Sequence, residues 1–168
     1  IDEKRYIVME SLIDGDTYKK NSEIPLKKDE KKCVAYTGAL GVPNGVGKLI
    51  EMMRIMKRND FELLVTGRGP LADRFEFEAA HDKRIRFLGT VPKDDVFKYQ
   101  LAADILINPR SDNDAPVVTK YMFPVKLMEY MLTGNTVLTC RMSGIPDEYY
   151  NYVFVSENDT DRDRKSVV

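Results

Sequence analysis

The stretch Cys33-Val34-Ala35-Tyr36-Thr37-Gly38-Ala39-Leu40-Gly41, with residues 46–58 close behind it, decides how this chain reads. Its first five residues are apolar, aromatic or β-branched, the composition of a strand buried on both faces. Glycines then interrupt the run, and Val46, Leu49, Ile50, Met53 and Met56 recur at helical spacing as one apolar stripe. A strand, a glycine turn and an amphipathic helix are the opening half of a βαβ unit. The alternation repeats downstream. Strands are predicted over 62–66, 85–88, 104–108, 136–140 and 152–155, and helices over 71–81, from Pro92 through Val96, Phe97 and Leu101 to Ala103, and from Pro124 through Val125, Leu127, Met128, Met131 and Leu132. Proline fits a helix's first turn, and Gly134 suits the left-handed residue that closes the last one. The fold class that follows is α/β: a Rossmann-like, doubly wound parallel sheet of about six strands. A strand order of 3-2-1-4-5-6 would put the ligand crevice at the carboxyl ends of strands 1 and 4.

Outside this unit the sequence is less ordered. Residues 1–32 contain one apolar run, Tyr6 to Met9, then Asp14-Gly15-Asp16 and the charged Lys27-Lys28-Asp29-Glu30-Lys31-Lys32, which read as a lead-in strand and a solvated linker from a further amino-terminal domain. The folded domain is expected over 33–156. The polar tail, 157–168, offers no returning helix after the last strand, so a truncated end is expected there. Because the chain starts with Ile1 and not Met, it is expected to be a segment of a longer polypeptide.

Composition removes several classes. Among 168 residues, 26 Lys plus Arg against 27 Asp plus Glu leave a net charge of -1, whereas a nucleic-acid surface needs concentrated positive charge. With 43% hydrophobic and 32% charged residues the chain can bury a core, and it is neither disordered nor fibrous. No apolar run approaches the roughly 18 to 20 residues that span a bilayer. Two cysteines, Cys33 and Cys140, far apart in apolar surroundings, fit free buried thiols in a reducing compartment, so a cytoplasmic location is expected.

Several motifs bear on chemistry. The segment from Gly41 to Lys48 resembles a phosphate loop, but five residues separate its first glycine from Gly47-Lys48 where four are required, and Leu49 follows where Ser or Thr should stand. The turn from Thr37 to Gly41, leading to a helix expected to begin near Gly45, still offers backbone amides and a positive helix end to a diphosphate; an ordinary strand-to-helix turn is the alternative. Gly67-Arg68-Gly69-Pro70-Leu71-Ala72 has the dinucleotide spacing. However, the region about 20 residues on is Arg84-Ile85-Arg86-Phe87-Leu88, without the acid that would hold a ribose, so a turn presenting Arg68 is the better reading. The single histidine, His81, lies in a charged stretch, which leaves neither a His/Cys metal site nor a Ser-His-Asp triad. Methionines 52, 53, 56, 122, 128 and 131 fall at helical spacings and read as core. Lys126 and Glu129 project from one helix face near its amino end. They form either a surface ion pair or, with Arg110 at the end of strand 4, a nucleotide-diphosphate site in which cations meet phosphates and the carboxylate meets ribose hydroxyls.

The ordered series Tyr36-Thr37-Gly38-Ala39-Leu40, Leu64-Val65-Thr66-Gly67-Arg68-Gly69-Pro70, Arg86-Phe87-Leu88-Gly89-Thr90-Val91-Pro92, 103–110 and Phe123-Pro124-Val125-Lys126-Leu127-Met128-Glu129-Tyr130-Met131 resembles the group 1 retaining glycosyltransferases over roughly residues 7–155. The resemblance implies the carboxyl-terminal, donor-binding half of a GT-B enzyme. By the same resemblance, Glu129 matches the second glutamate of the family's E-x7-E motif and binds the donor ribose, while Tyr121 stands in place of the first. Ala39 and Asn44 stand near positions where many members carry an Arg and a Lys for the diphosphate. Arg68, Arg110 and Lys126 are then the cations, and the catalytic candidates. Gly89, Thr90 and Val91 match the turn that meets the nucleobase, and Gly38, Ala39, Phe123 and Leu127 complete the expected donor site.

The implied chemistry is transfer of a sugar from a UDP- or GDP-linked donor to an acceptor hydroxyl with retention, in polysaccharide biosynthesis, with no separate cofactor and no required metal. Cations and helix amides preorganised around the diphosphate would stabilise the leaving group. A saccharide or glycolipid acceptor would belong to the amino-terminal half. This chain alone is therefore expected to bind donor weakly without turnover, and the full-length protein to work in the cytoplasm or at the inner face of the membrane. Other readings are a degenerate, non-catalytic transferase-like binding domain, motivated by Tyr121 and Ala39, an NAD-binding oxidoreductase domain, which lacks its acid, and a receiver-type signalling module, which lacks an aspartate after strand 1.

Overall fold

Short apolar runs pair into a parallel sheet because the amphipathic stretches between them carry the chain back across its faces. The computed structural model describes residues 12, 13, 15, 16 and 31–156. Its strands are β1 (Lys32–Thr37), β2 (Phe61–Thr66), β3 (Ile85–Phe87), β4 (Ile105–Asn108), β5 (Thr136–Cys140) and β6 (Phe154–Ser156). Its helices are α1 (Gly47–Ile55), α2 (Ala72–His81), α3 (Lys93–Ala102), the short α4 (Pro116–Thr119) and α5 (Val125–Leu132). The sheet order is β3-β2-β1-β4-β5-β6, every neighbouring pair parallel, as the sequence predicts. The order reverses between β1 and β4, the point at which such sheets open a crevice. The expected lead-in strand over Tyr6 to Met9, most of the linker, and the tail 157–168 lie outside the described residues.

Alternation along β1 divides the core in two. Val34 and Tyr36 pack with Leu63, Val65 and Ile107 against Leu49, Ile50 and Met53 of α1 and Phe75 of α2. Ala35, Leu64, Leu106 and Val137 face the other layer, with Ala103, Phe123, Met142 and the α5 residues Leu127 and Tyr130. Truncating a fully buried residue such as Leu106 would cost about 2–5 kcal/mol.

Several expectations need correction. The helix expected over 46–58 starts at Gly47, after a 3-10 turn over Val42–Asn44, and stops at Ile55. The early stop has a physical cause: the Arg84 guanidinium donates to the carbonyls of Met53 (2.7 Å), Met56 and Arg58 (3.1 Å), satisfying acceptors that further helix would otherwise use. The last strand lies at Phe154–Ser156, because Asp147–Asn151 forms a 3-10 turn that delays it. On α5, Val125 and Leu132 are exposed and Tyr130 is buried, so the core stripe is narrower than the apolar residues suggest. Met122 is also exposed; it lies in the loop before α5, where no helical face carries it inward.

Candidate functional site

The loops after β1 and β2 build the floor of the crevice by packing backbone on backbone. Gly38 N–H donates to Thr66 O (3.0 Å) and Leu40 N–H to Arg68 O (2.9 Å), which extends the β1–β2 pairing beyond the sheet. Two glycines permit this approach. Gly67 has φ 146°, and a Cβ there would stand 1.8 Å from the Gly38 carbonyl oxygen; Gly38 has φ 135°, and a Cβ there would stand 2.7 Å from Lys126 Nζ. The turn after β3 closes the side, with Gly89 O accepting from Gly67 N–H (2.8 Å) and from the Thr66 hydroxyl (2.7 Å). The result is a pocket of about 340 Å³ lined by Thr37, Gly38, Ala39, Thr66, Gly67, Arg68, Thr90, Val91, Val96, Lys126 and Glu129. A second pocket, about 360 Å³, adjoins it and shares Lys126; Asn44, Asn108, Arg110, Met122, Phe123, Pro124 and Val125 form its remaining walls.

Lys126 is the hinge of this arrangement. It starts on α5, in one layer of the core, and reaches across Gly38 to the hydroxyl of Tyr36, whose ring is rooted in the other layer. The ammonium donates to the Tyr36 hydroxyl at 2.8 Å and lies 4.0 Å from the ring centroid, a cation–π contact. Burial and the nearby Arg110 guanidinium push the Lys126 pKa down to about 7, with Glu129 acting in the opposite direction. Lys126 and Glu129 line the same pocket, yet no ion pair joins them among the described residues. The surface ion pair that their spacing allows is therefore not formed.

The other cations reach the crevice from separate strands. Arg68, exposed on the loop after β2, lines the first pocket. Arg110, on the loop after β4, lines the second, where it donates to Asn44 Oδ1 and lies 2.9 Å from Met122 Sδ. Asn44 also donates to the carbonyl of Ala39 (3.0 Å), so of the two positions near which cations were expected, Asn44 touches a guanidinium supplied from elsewhere and Ala39 is linked to it only through Asn44. The helix end expected to face the crevice does not line it: no residue from Gly45 to Lys48 belongs to either pocket. Lys48 is held instead by Asp114 (2.6 Å), the Ser111 hydroxyl (2.9 Å) and Pro109 O (3.3 Å).

Of the predicted site residues, Gly38, Ala39, Arg68, Thr90, Val91, Lys126 and Glu129 come together in the first pocket, and Arg110 and Phe123 join Lys126 in the second. Gly89 contributes its carbonyl to the loop framework. Leu127 is wholly buried in the core, and Tyr121 stands 79% exposed beside Lys120, outside both pockets. His81 lies exposed on α2, its Nδ1 2.8 Å from Phe77 O. Cys33 and Cys140 are free and half-buried; burial and the neighbouring Glu62 push the Cys33 thiol up to about 12, which removes it as a nucleophile near neutral pH. Among the described residues no cluster of three His, Cys, Asp or Glu side chains could hold a metal ion. None of the described helices is long and apolar enough to cross a membrane.

Four participants were not foreseen. Tyr36 anchors Lys126. Tyr130, fully buried, accepts from Thr37 N–H (2.9 Å) and donates to Thr37 O (3.2 Å), fixing the residue that opens the floor. Gln100, also buried, donates to the Thr37 hydroxyl at 2.9 Å. Met122 walls the second pocket. Tyr36 and Tyr130 sat within runs that read as core, and their one available signal was a polar atom carried into an apolar stripe; Gln100 and Met122 gave no such signal.

Comparison with known proteins bears on the fold and the family. A curated relative, the amylovoran biosynthesis glycosyltransferase AmsK of Erwinia amylovora, is 31% identical over 111 residues, 61% of this chain and 26% of AmsK. The chain thus spans about a quarter of that relative's length. Among solved structures, WaaG, a glycosyltransferase involved in lipopolysaccharide biosynthesis, superposes with a TM-score of 0.58 at 22% identity, covering 89% of this chain and 39% of WaaG. Anabaena HepE, solved in complex with UDP, gives a TM-score of 0.55 at 16% identity, covering 77% of this chain and 36% of HepE. The fold is the Rossmann-like α/β sheet of these GT-B glycosyltransferases. Residues 31–163 match the family model described as "Glycosyl transferases group 1", and the chain belongs to the group 1 glycosyltransferases.

Proposed function

We propose that this chain is the donor-binding domain of a glycosyltransferase that moves a sugar from a nucleoside-diphosphate sugar to an acceptor hydroxyl with retention. One observation carries the reading: Lys126 and Glu129 enter the same pocket without pairing, the ammonium held by the neutral Tyr36 hydroxyl, so neither charge is neutralised by the other. A nucleoside diphosphate needs both. Its phosphates take Lys126, with Arg68 on one side and Arg110 on the other, and its ribose hydroxyls donate to Glu129. The base then lies toward Thr90 and Val91, and the sugar toward the pocket walled by Arg110, Asn44 and Phe123. Family membership and a UDP-bound structural neighbour support this assignment.

In the reaction the bond from the anomeric carbon to the phosphate oxygen breaks as the bond to the acceptor oxygen forms, and the acceptor's hydroxyl proton passes to the departing diphosphate. The negative charge arriving on the diphosphate is met by cations already in place, so little reorganisation is needed at that moment. The donor is a substrate, and no separate cofactor enters. The acceptor, a saccharide or glycolipid, is recognised by a further amino-terminal half, so this chain alone binds donor and does not turn over. The full-length protein works in the cytoplasm or at the inner face of a membrane, in polysaccharide assembly; the free thiols of Cys33 and Cys140 are compatible with a reducing compartment.

Calorimetric titration with UDP, GDP and NAD tests the reading. One nucleoside diphosphate should bind, and both Glu129→Ala and Lys126→Ala should weaken it. A domain that binds no nucleoside diphosphate even at millimolar concentration, in this chain and in the full-length protein, would be a non-catalytic relative.

A further inference from the structure

Lys126 and Glu129 are three residues apart on one helix face and open into one pocket, the geometry in which such side chains ordinarily pair. They do not pair, because the ammonium is already taken. The Tyr36 hydroxyl, on a residue with no exposed surface, accepts from Lys126 Nζ at 2.8 Å and donates to Ala39 O at 2.8 Å. That second bond orients the hydroxyl so that its lone pair faces the lysine. The ring beneath adds the cation–π contact at 4.0 Å, and the missing Cβ of Gly38 leaves the path open.

We propose that Tyr36 is a positioning residue whose buried hydroxyl holds Lys126 away from Glu129 and so keeps the ammonium and the carboxylate as two separate ligand-binding groups. The inference rests on the donor-site reading and adds to it a cause for the separation. A carboxylate anchor in place of the phenol would hold Lys126 equally well but would neutralise it. The neutral phenol leaves the positive charge uncompensated, to be matched by an anionic ligand. The charged groups around Lys126 are Arg110 from the loop after β4, Arg68 across the pocket from the loop after β2, and Glu129 on its own helix; Tyr36 is the titratable group on β1. Of these, Glu129 alone can compete for the ammonium once the hydroxyl is gone.

Inorganic pyrophosphate is the probe, since it carries the anionic charge and has no ribose for Glu129 to hold. Tyr36→Phe keeps the ring and the packing while removing the hydroxyl, and thermal melting checks that the variant folds. It should weaken pyrophosphate binding about tenfold, a size expected for one hydrogen bond to a charged group. Adding Glu129→Gln to Tyr36→Phe should restore most of that loss, a gain that the same substitution should not give in the wild-type background. In parallel, 13Cε NMR of lysine-labelled protein, assigned with Lys126→Arg, should show the Lys126 titration midpoint rising by at least one pH unit in Tyr36→Phe and returning in the double variant. Unchanged binding and midpoint in Tyr36→Phe, or a Glu129→Gln effect equal in both backgrounds, would overturn the proposal while leaving the donor site standing. A wild-type chain that binds neither pyrophosphate nor a nucleoside diphosphate would remove the donor site, and with it this role for Tyr36.

Discussion

Lys48 and Lys126 both stand at the carboxyl edge of the sheet, each in the first turn of a helix, and their partners separate them. Lys48 follows a glycine-rich stretch that resembles a phosphate loop, but its ammonium is locked by Asp114 at 2.6 Å and by Ser111. Its work is to pin the loop that carries Arg110. Lys126 follows no such stretch and is held by a neutral phenol, facing a pocket. A lysine satisfied by a carboxylate has little left for a ligand, whereas one held by a neutral hydroxyl has no counter-charge of its own. The partner, more than the glycines nearby, indicates which lysine meets an anion.

Substitutions at the two lysines should break this comparison most sharply if it is wrong. Lys126→Ala should weaken binding of the matching nucleoside diphosphate by about 10–100-fold by calorimetry, the range for a charge-assisted hydrogen bond, while Lys48→Ala should change it less than about threefold. Next in size, Tyr130→Phe leaves the amide and carbonyl of Thr37 without their buried partner. It should lower stability by about 1–3 kcal/mol in urea denaturation and loosen the floor beneath Lys126.

The charge of Lys126 depends on pH. Because the Lys126 pKa is pushed below its ordinary value, to about 7, the charged form is lost as pH rises through that point. The second phosphate ionisation, near 6, is complete above pH 7, so the ligand's charge is nearly constant there. Nucleotide affinity should therefore fall between pH 7 and 9, and Lys126→Arg, charged throughout, should flatten the fall. The smallest effect is expected on the structural side. Lys48→Met removes a half-exposed ion pair and should cost under about 1 kcal/mol in the same denaturation assay, because Asp114 keeps its bonds from the Ser111 amide and hydroxyl.

The sheet was legible from sequence because periodicity of two and of 3.6 is written in residues that must be buried: Val34 against Ala35 along β1, and Leu49, Ile50 and Met53 along α1. The strand order is that of the doubly wound Rossmann-like sheet which the alternation suggested. Boundaries were less legible where a distant side chain sets them, as Arg84 does for the end of α1. At the site, Lys126 and Glu129 were visible as a pair on one helix face. Their separation was not, since it depends on Tyr36, 90 residues away along the chain and read as an apolar strand residue. Likewise the guanidinium beside Asn44 comes from Arg110, a proximity that only the pairing of β1 with β4 creates.

The most direct test of the account is amide and lysine NMR of the chain titrated with the nucleoside diphosphate that binds. Shifts concentrated at Gly38, Gly67, Thr90, Lys126 and Glu129, with Lys48, Leu49 and Cys140 unmoved, are the predicted result. Shifts centred on the Gly41-to-Lys48 loop and the separate pocket of about 250 Å³ that Lys48 and Cys140 line would contradict it.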